Sequence, residues 1–460
     1  MSSSTRLSIF RAALRRPRIL IAGCGLVVIA VALLIQHALI KSRTDARLAT
    51  ISEKGLPITL TELNDSYSLP TGATNAASFY EKAFTAFIRF DMAHTNAPVW
   101  HESTLGKAYP PGIIDFLDQW VATNRRSLKL VHEGAKQPAC RFQRDYTASH
   151  AARFHSLDEF RPCVRLLCWD AYLKAESGDM AGSIDSLSSA IAIIDSVAKI
   201  PEIYAQRLGM GGLAHVAFRL EEILNRHQIT DEQLTSLSRL FKDRETTANL
   251  RSAHAGEMCK GLDILETPFQ QGSPLKIRDR YAKESTFEKI MNGATLVLLK
   301  ATGLWGRNRE LFVDVYARYI NALEMPFPAA LRETEAAEEY ANSQSLKFKN
   351  VIAGLLLHWT PGSAQREAQR IAILRTTQTA IAIQRYRLAH DDDAPMTLDQ
   401  LTPVYLPSVL TDPFDGEPLR YRRLKKGFVV YSIGRDGKEQ QRDPESRELS
   451  SDDLRFRILR

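Results

Sequence analysis

The chain has 460 residues, 44% of them apolar and 25% charged, a composition that excludes a disordered protein and leaves room for two or three domains with their own cores. Its formal charge of +7 is local: residues 1–48 hold eight Lys/Arg against one acid, and the remaining residues carry 52 basic and 52 acidic side chains. A nucleic-acid partner needs a basic face on the folded body and is not expected.

Ile19 to Ile40 is a run of 22 residues without a charge. At ~1.5 Å per residue it spans ~33 Å, enough for a bilayer core. Arg6, Arg11, Arg15, Arg16 and Arg18 precede it, and Lys41, Arg43 and Arg47 follow, diluted by Asp45. The asymmetry gives a cytoplasmic tail at 1–18, a transmembrane helix at 19–40 and a body outside the cytoplasm. The expected location is the cell inner membrane, single-pass. A cleaved signal peptide is the rival reading. It calls for a shorter apolar stretch and a small-x-small site, which Ile35 to Lys41 lacks. Arg15-Arg16 resembles a twin-arginine pair, but Pro17 and Arg18 follow where such signals carry polar, then apolar residues.

Beyond the span, 41–360 reads as a helical domain. Residues 41–75 are a juxtamembrane stretch and a loop, broken at Leu69-Pro70-Thr71-Gly72. Ala76, Tyr80, Ala83, Phe84 and Phe87 recur at helical spacing, and Ile113 to Leu130 reads as a second helix. Cys140, in a Pro-containing loop, is placed to reach Cys163 or Cys168; the alternative is that these cysteines and Cys259 are small buried hydrophobes. Ser156-Leu157-Asp158-Glu159 has the form of a capping box. Leu166 to Val197 reads as a helical hairpin turning at Gly178-Asp179. Its small residues partly follow a tetratricopeptide repeat, so the body is repeat-like or an ordinary helix pair.

Helices continue at Gln206 to Asn225, then after the cap Thr230-Asp231-Glu232-Gln233. A Pro/Gly break falls at 266–275. The apolar stretch Ala294 to Leu304 is too short to span a bilayer and reads as a core helix, with a membrane-surface contact as the alternative. Leu311 to Met325 and Ala329 to Leu346 complete the helical region.

Residues 361–460 change character. A long helix, striped by Ile371, Leu374, Ile381 and Leu388, precedes a short capped helix at Thr397-Leu398-Asp399-Gln400. Leu419 to Arg423 and Phe428 to Ile433 read as strands joined through Lys425-Lys426-Gly427. Leu454, Phe456 and Ile458 alternate with Arg455 and Arg457, giving a third strand with one basic face. Residues 419–460 carry twelve basic and seven acidic side chains, read as a solvated surface.

Within this module, Asp412-Pro413-Phe414-Asp415-Gly416, Leu419-Arg420-Tyr421 and Ser432-Ile433-Gly434-Arg435-Asp436-Gly437 follow one another after the long helix. In this order they resemble the soluble part of the major pseudopilin of type II secretion, over roughly residues 366–458. The preceding region resembles uncharacterised single-pass bacterial membrane proteins that carry such a module. The resemblance implies a small α+β fold and a calcium site in the last loop, where Asp436, Asp452 and Asp453 occupy the matching places. Here that loop is long and holds Lys438, Arg442 and Arg447, and a solvated charged loop is the alternative. The helix before the module carries Arg366, Glu367, Arg370, Arg375, Arg385 and Arg387. It cannot lie in a bilayer, unlike a pseudopilin stem.

Motifs of catalysis are few. Metalloprotease, nucleophile-elbow and phosphate-loop patterns are missing. Ser196-Val197-Ala198-Lys199 matches a Ser-x-x-Lys tetrad without its companion motifs. His150 and His155 are poorly spaced for a metal, and Asp391-Asp392-Asp393 falls where a helix ends. The expected protein is mainly α, with an N-terminal transmembrane helix, a helical ectodomain and a small C-terminal α+β module with a short antiparallel sheet. Its expected role is non-catalytic binding or scaffolding among envelope proteins, beside a secretion or pilus-like assembly. The alternative is an envelope hydrolase with an unrecognised site.

Overall fold

The computed structural model describes residues 17–89, 105–147, 157–271, 298–357, 361–435, 437 and 454–460. In chain order the helices are α1 (Pro17–Glu53), α2 (Leu60–Ser66), α3 (Ala77–Ala86), α4 (Pro111–Thr123), α5 (Arg125–Ala135), α6 (Phe160–Glu176) and α7 (Met180–Ala198). They continue with α8 (Ile203–Arg226), α9 (Asp231–Phe241), α10 (Ala248–Gln271), α11 (Leu304–Ala322), α12 (Ala329–Ser345), α13 (Val351–Leu356) and α14 (Ser363–Ala389). Strands β1 (Arg420–Arg423), β2 (Phe428–Tyr431) and β3 (Arg455–Ile458) form an antiparallel sheet in that order. The protein is thus mainly helical, with a small sheet near the C-terminus and an apolar helix near the N-terminus.

The chain divides into two compact units. The smaller gathers Met1–Leu56, Gly261–Ala317 and Glu338–His358. Its first helix is apolar and exposed over Ile21, Leu26, Val28 and Leu34, then amphipathic, with Thr44, Leu48 and Ile51 buried. The change follows the sequence, because charges begin at Lys41. Arg47 of α1 reaches Asp314 of α11 at 3.0 Å, and Arg309 lies 3.4 Å from Glu266. Asn308 ties α11 to the start of α13: its amide donates to Lys349 O at 2.8 Å and its carbonyl accepts from Ala353 N at 2.9 Å. Of the core helix expected at 294–304, residues 298–301 are helical but lie at the surface. Residues 294–297 lie outside the described residues, and Leu298 is 63% exposed.

The larger unit gathers Pro57–Lys260, Arg318–Ala337 and Trp359–Arg460. One apolar core runs through α3 to α9, α14 and the sheet, so α14 and the three strands share their interior with the preceding helices. The hairpin α6–α7 forms as its spacing indicates. Gly178 takes φ +86°, and Asp179 caps α7 by accepting from Gly182 N at 2.8 Å. Helix α7 is also long and apolar enough to cross a membrane, but it is mostly buried and its Leu187, Ile191 and Ile194 belong to this core. The capping box on α9 is present, with Thr230 and Gln233 bonded reciprocally.

Two elements differ from expectation. Ile113 to Leu130 is two helices, α4 and α5, broken at Asn124. The buried Asn124 side chain accepts from Ile88 N at 2.8 Å and donates to Ile88 O and Trp120 O. A side chain that bonds backbone competes with helix continuation. Helix α6 starts at Phe160 with no side-chain cap from Glu159, and Ser156 lies outside the described residues.

The sheet closes through the β1–β2 hairpin, where Gly427 takes φ +80° and Leu424 N donates to Gly427 O at 3.1 Å. A side chain there would stand 1.9 Å from Ile458 O, so only glycine fits. Asp412 is fully buried. Its carboxylate accepts from Ser432 Oγ at 2.9 Å, Ile433 N at 2.8 Å and Phe414 N at 3.0 Å.

Candidate functional site

Helix α8 is the spine on which the polar interior of the larger unit is built. Arg219, Glu221, Glu222 and Asn225 all lie buried on it. Helical spacing lets Arg219 pair with Glu222, and the guanidinium lies over the Trp169 ring, 3.6 Å from its centroid. Tyr109 Oη donates to Glu222 at 2.6 Å. His215, one turn away, is depressed to about 4, by burial first and then by Arg165 and Arg219.

The other face of α8 closes the outer edge of β3. Arg457 N donates to Glu221 Oε1 at 2.7 Å, and Asn225 donates to Arg457 O at 2.7 Å and accepts from Leu459 N at 2.7 Å. Backbone groups that an edge strand would offer to another chain are taken by two side chains of a helix. Burial pushes the Glu221 carboxyl above its ordinary value, and Arg457 opposes that rise.

Two cavities lie along the seam of α8 and α14, both bordered by Met210. The smaller, of about 220 Å³, sits against β3 and mixes apolar side chains with Glu221, Gln369, Arg455 and Arg457. The larger, of about 410 Å³, lies between the end of α7, the first half of α8, the first half of α14 and the loop after α9. That volume falls in the range of small-ligand sites. Its polar wall is fixed by two ion pairs, of which Arg370–Glu367 is bidentate while both Arg244 donors share Asp195 Oδ2. Arg244 donates to Asp195 at 3.1 and 2.9 Å, and Arg370 donates to Glu367 at 2.9 and 2.6 Å. Arg370 also donates to Arg244 O at 2.8 Å, which moors the loop to α14. Lys199 and Lys242 bring two exposed ammonium groups to the rim. The guanidinium nitrogens of both arginines are already engaged, so the two lysines are the groups that can hold an acidic ligand by charge-assisted hydrogen bonds.

A third polar cluster is structural. Arg144 meets Glu202 at 2.8 Å, with Lys260 3.7 Å from the same carboxylate. Burial raises Glu202 despite both cations.

No family model matches the chain. No curated protein and no solved structure matches it either.

The calcium candidates Asp436, Asp452 and Asp453 lie outside the described residues, as do His150 and His155. Among the described residues no three His, Cys, Asp or Glu side chains gather as metal ligands. Cys140, Cys163, Cys168 and Cys259 are buried free thiols, each pushed up to about 12, by burial above all. The bridge from Cys140 to Cys163 or Cys168 does not form, and these groups are unreactive at neutral pH. Ser196 donates its hydroxyl to Ala192 O at 2.8 Å, while Lys199 lines the larger cavity. Asp391 and Asp392 take positive φ in the turn after α14, and Asp392 meets Arg387 at 2.8 Å.

The expected basic face of the third strand is a correction. Arg457 is buried and bonded to Glu221 rather than solvated. Lys242 and Arg244 were missed. The only signal was the alternating Lys242-Asp243-Arg244-Glu245 run at a helix end, which reads as an ordinary solvated loop.

Proposed function

We propose that the protein is a single-pass inner-membrane component of the cell envelope, with its N-terminus in the cytoplasm. It acts there as a non-catalytic binding or scaffold protein. The observation that carries this is α1: a helix of 37 residues whose first half presents Ile21, Leu26, Val27, Val28 and Leu34 outward, exposed among the described residues. Such a surface is stable in lipid and costly in water. The arginines before it and the thinner basic charge after it favour the stated orientation.

The larger cavity supports the binding role, because its paired arginines form a pre-set polar wall rather than a flexible one. The resemblance of the C-terminal module to a pseudopilin head adds a setting, a secretion or pilus-like assembly. The first and last of its three motif segments are bonded to each other through Asp412 and Ser432.

The experiment is affinity capture of the full-length chain from detergent-solubilised membranes, beside a Lys199→Glu, Lys242→Glu variant. A companion held by the parent and lost from the variant supports the proposal. Turnover of a substrate by the purified protein, with no companion recovered, overturns it in favour of a hydrolase.

A further inference from the structure

The smaller unit places a second segment at the depth of the anchor's outer end. Residues 298–301 are helical and turn at Thr302-Gly303 into α11. This segment docks on α1. His37 Nε2 lies 2.9 Å from Lys300 O, while its Nδ1 lies 2.8 Å from Leu33 O. Gly303 sits so close to Gln36 that a side chain there would meet its amide at 2.8 Å, and Gly306 faces Ile40 at 3.2 Å in the same sense.

The depth follows from spacing. Lys41 is the first charge after the apolar run, so it marks the headgroup layer. His37 lies four residues earlier, ~6 Å deeper along the helix axis. The partners of His37 and Gln36 therefore sit at the boundary of headgroups and acyl chains.

The chemistry of the segment suits that layer. Leu298 is 63% exposed, an apolar side chain that gains by entering lipid. A helix end at this depth leaves carbonyls that hydrocarbon cannot satisfy. Here Lys300 O accepts from Gly303 N at 3.1 Å and faces His37, and Leu298 O accepts from Thr302 N at 2.9 Å and Thr302 Oγ1 at 2.8 Å. The exposed threonine hydroxyl is thus bonded within its own turn. Lys300 is exposed and long enough to reach back to phosphate oxygens.

We propose that residues 298–302, which are exposed apart from the half-buried Leu299, form a second membrane contact, a short wedge seated in the headgroup layer of the phospholipid bilayer beside the anchor. It fixes the depth and rotation of α1 and the attachment of α11 to the membrane surface. This contact rests on the reading of residues 19–40 as a membrane anchor.

The test uses the full-length chain with Cys24→Ser, reconstituted in phosphatidylcholine vesicles containing lipids spin-labelled on the acyl chain near the headgroup. An environment-sensitive fluorophore is attached through Leu298→Cys or, separately, Leu34→Cys. The expected result is loss of emission at position 298 comparable to that at position 34. Quenching at 34 with a water-exposed, unquenched label at 298 overturns the wedge and leaves the anchor standing. Quenching at neither position removes both.

Discussion

Glu221 accepts two hydrogen bonds from Arg457, one from the backbone N–H at 2.7 Å and one from the guanidinium at 3.3 Å. A helix side chain thereby acts as the next strand for the sheet and as the counter-ion for a buried arginine. Glu221→Ala leaves the Arg457 guanidinium buried without its carboxylate and a strand N–H without an acceptor. The expected loss is roughly 3–5 kcal/mol, the scale for breaking a buried pair from one side. Denaturant unfolding of the detergent-solubilised protein measures it; a loss under about 1 kcal/mol means the pair is solvated.

Asp412 gathers three donors in a fully buried place. Asp412→Ala strands Ile433 N and Phe414 N and leaves Ser432 Oγ only the bond it accepts from Gly434 N, at about 1–3 kcal/mol for each buried group left unmade. Asp412→Asn retains part of the acceptor set and is expected to fall between. Proteolysis at residues 432–435 should accelerate in the same rank order. Equal rates in all three proteins would show that Asp412 does not hold that segment.

Gly427→Ala and Gly134→Ala test close approach rather than charge. The first adds a Cβ 1.9 Å from Ile458 O at a φ of +80°, the second a Cβ 2.6 Å from Tyr80 Cε1. The tyrosine is buried between α3 and α5 and cannot swing away cheaply. Both should lower the unfolding midpoint by an amount equivalent to about 1–3 kcal/mol, the range for overpacking, with the hairpin position the more severe. An unchanged midpoint for either variant would mean the backbone adjusts freely there.

Acid should weaken the larger unit through its histidines. His254 is buried against Tyr319, and burial depresses it to about 3 from an ordinary 6.5. Between those values the unfolded chain binds the proton and the folded chain does not. Its contribution to stability is therefore complete above pH 6.5 and lost as pH falls, by about 1.4 kcal/mol per unit at most. His215, depressed to about 4, acts in the same direction. Glu202 and Glu221, both raised, act in the opposite one, gaining stability as pH falls through their folded values. The clean comparison is His254→Gln against the parent between pH 7 and 4.5. The variant should show the shallower decline, and a parallel decline would assign the acid sensitivity elsewhere.

Local pattern carried the helices and strands whose signals are short-range: the α6–α7 hairpin at Gly178, the Thr230–Gln233 box, the apolar run in α1 and the Lys425–Gly427 turn. It did not reach what depends on distant partners. Asn124 breaks a helix because Ile88 lies beside it, 36 residues away in sequence. Arg457 looked solvated because alternation shows which face a side chain takes, not that Glu221 waits there. The change of character at residue 361 suggested a separate module, yet its long helix and sheet complete the core begun by α3 to α9. The larger cavity was invisible for the same reason, since its wall draws on α7, α8, α14 and a charged loop.

Attachment to lipid is the claim on which the functional account stands. Cell membranes carrying the untagged chain can be washed with high salt and then with alkaline carbonate, and the pellet examined for full-length protein. Retention of the intact chain through both washes, with release only by detergent, is the expected result. Recovery of the uncleaved chain in the aqueous wash would contradict it.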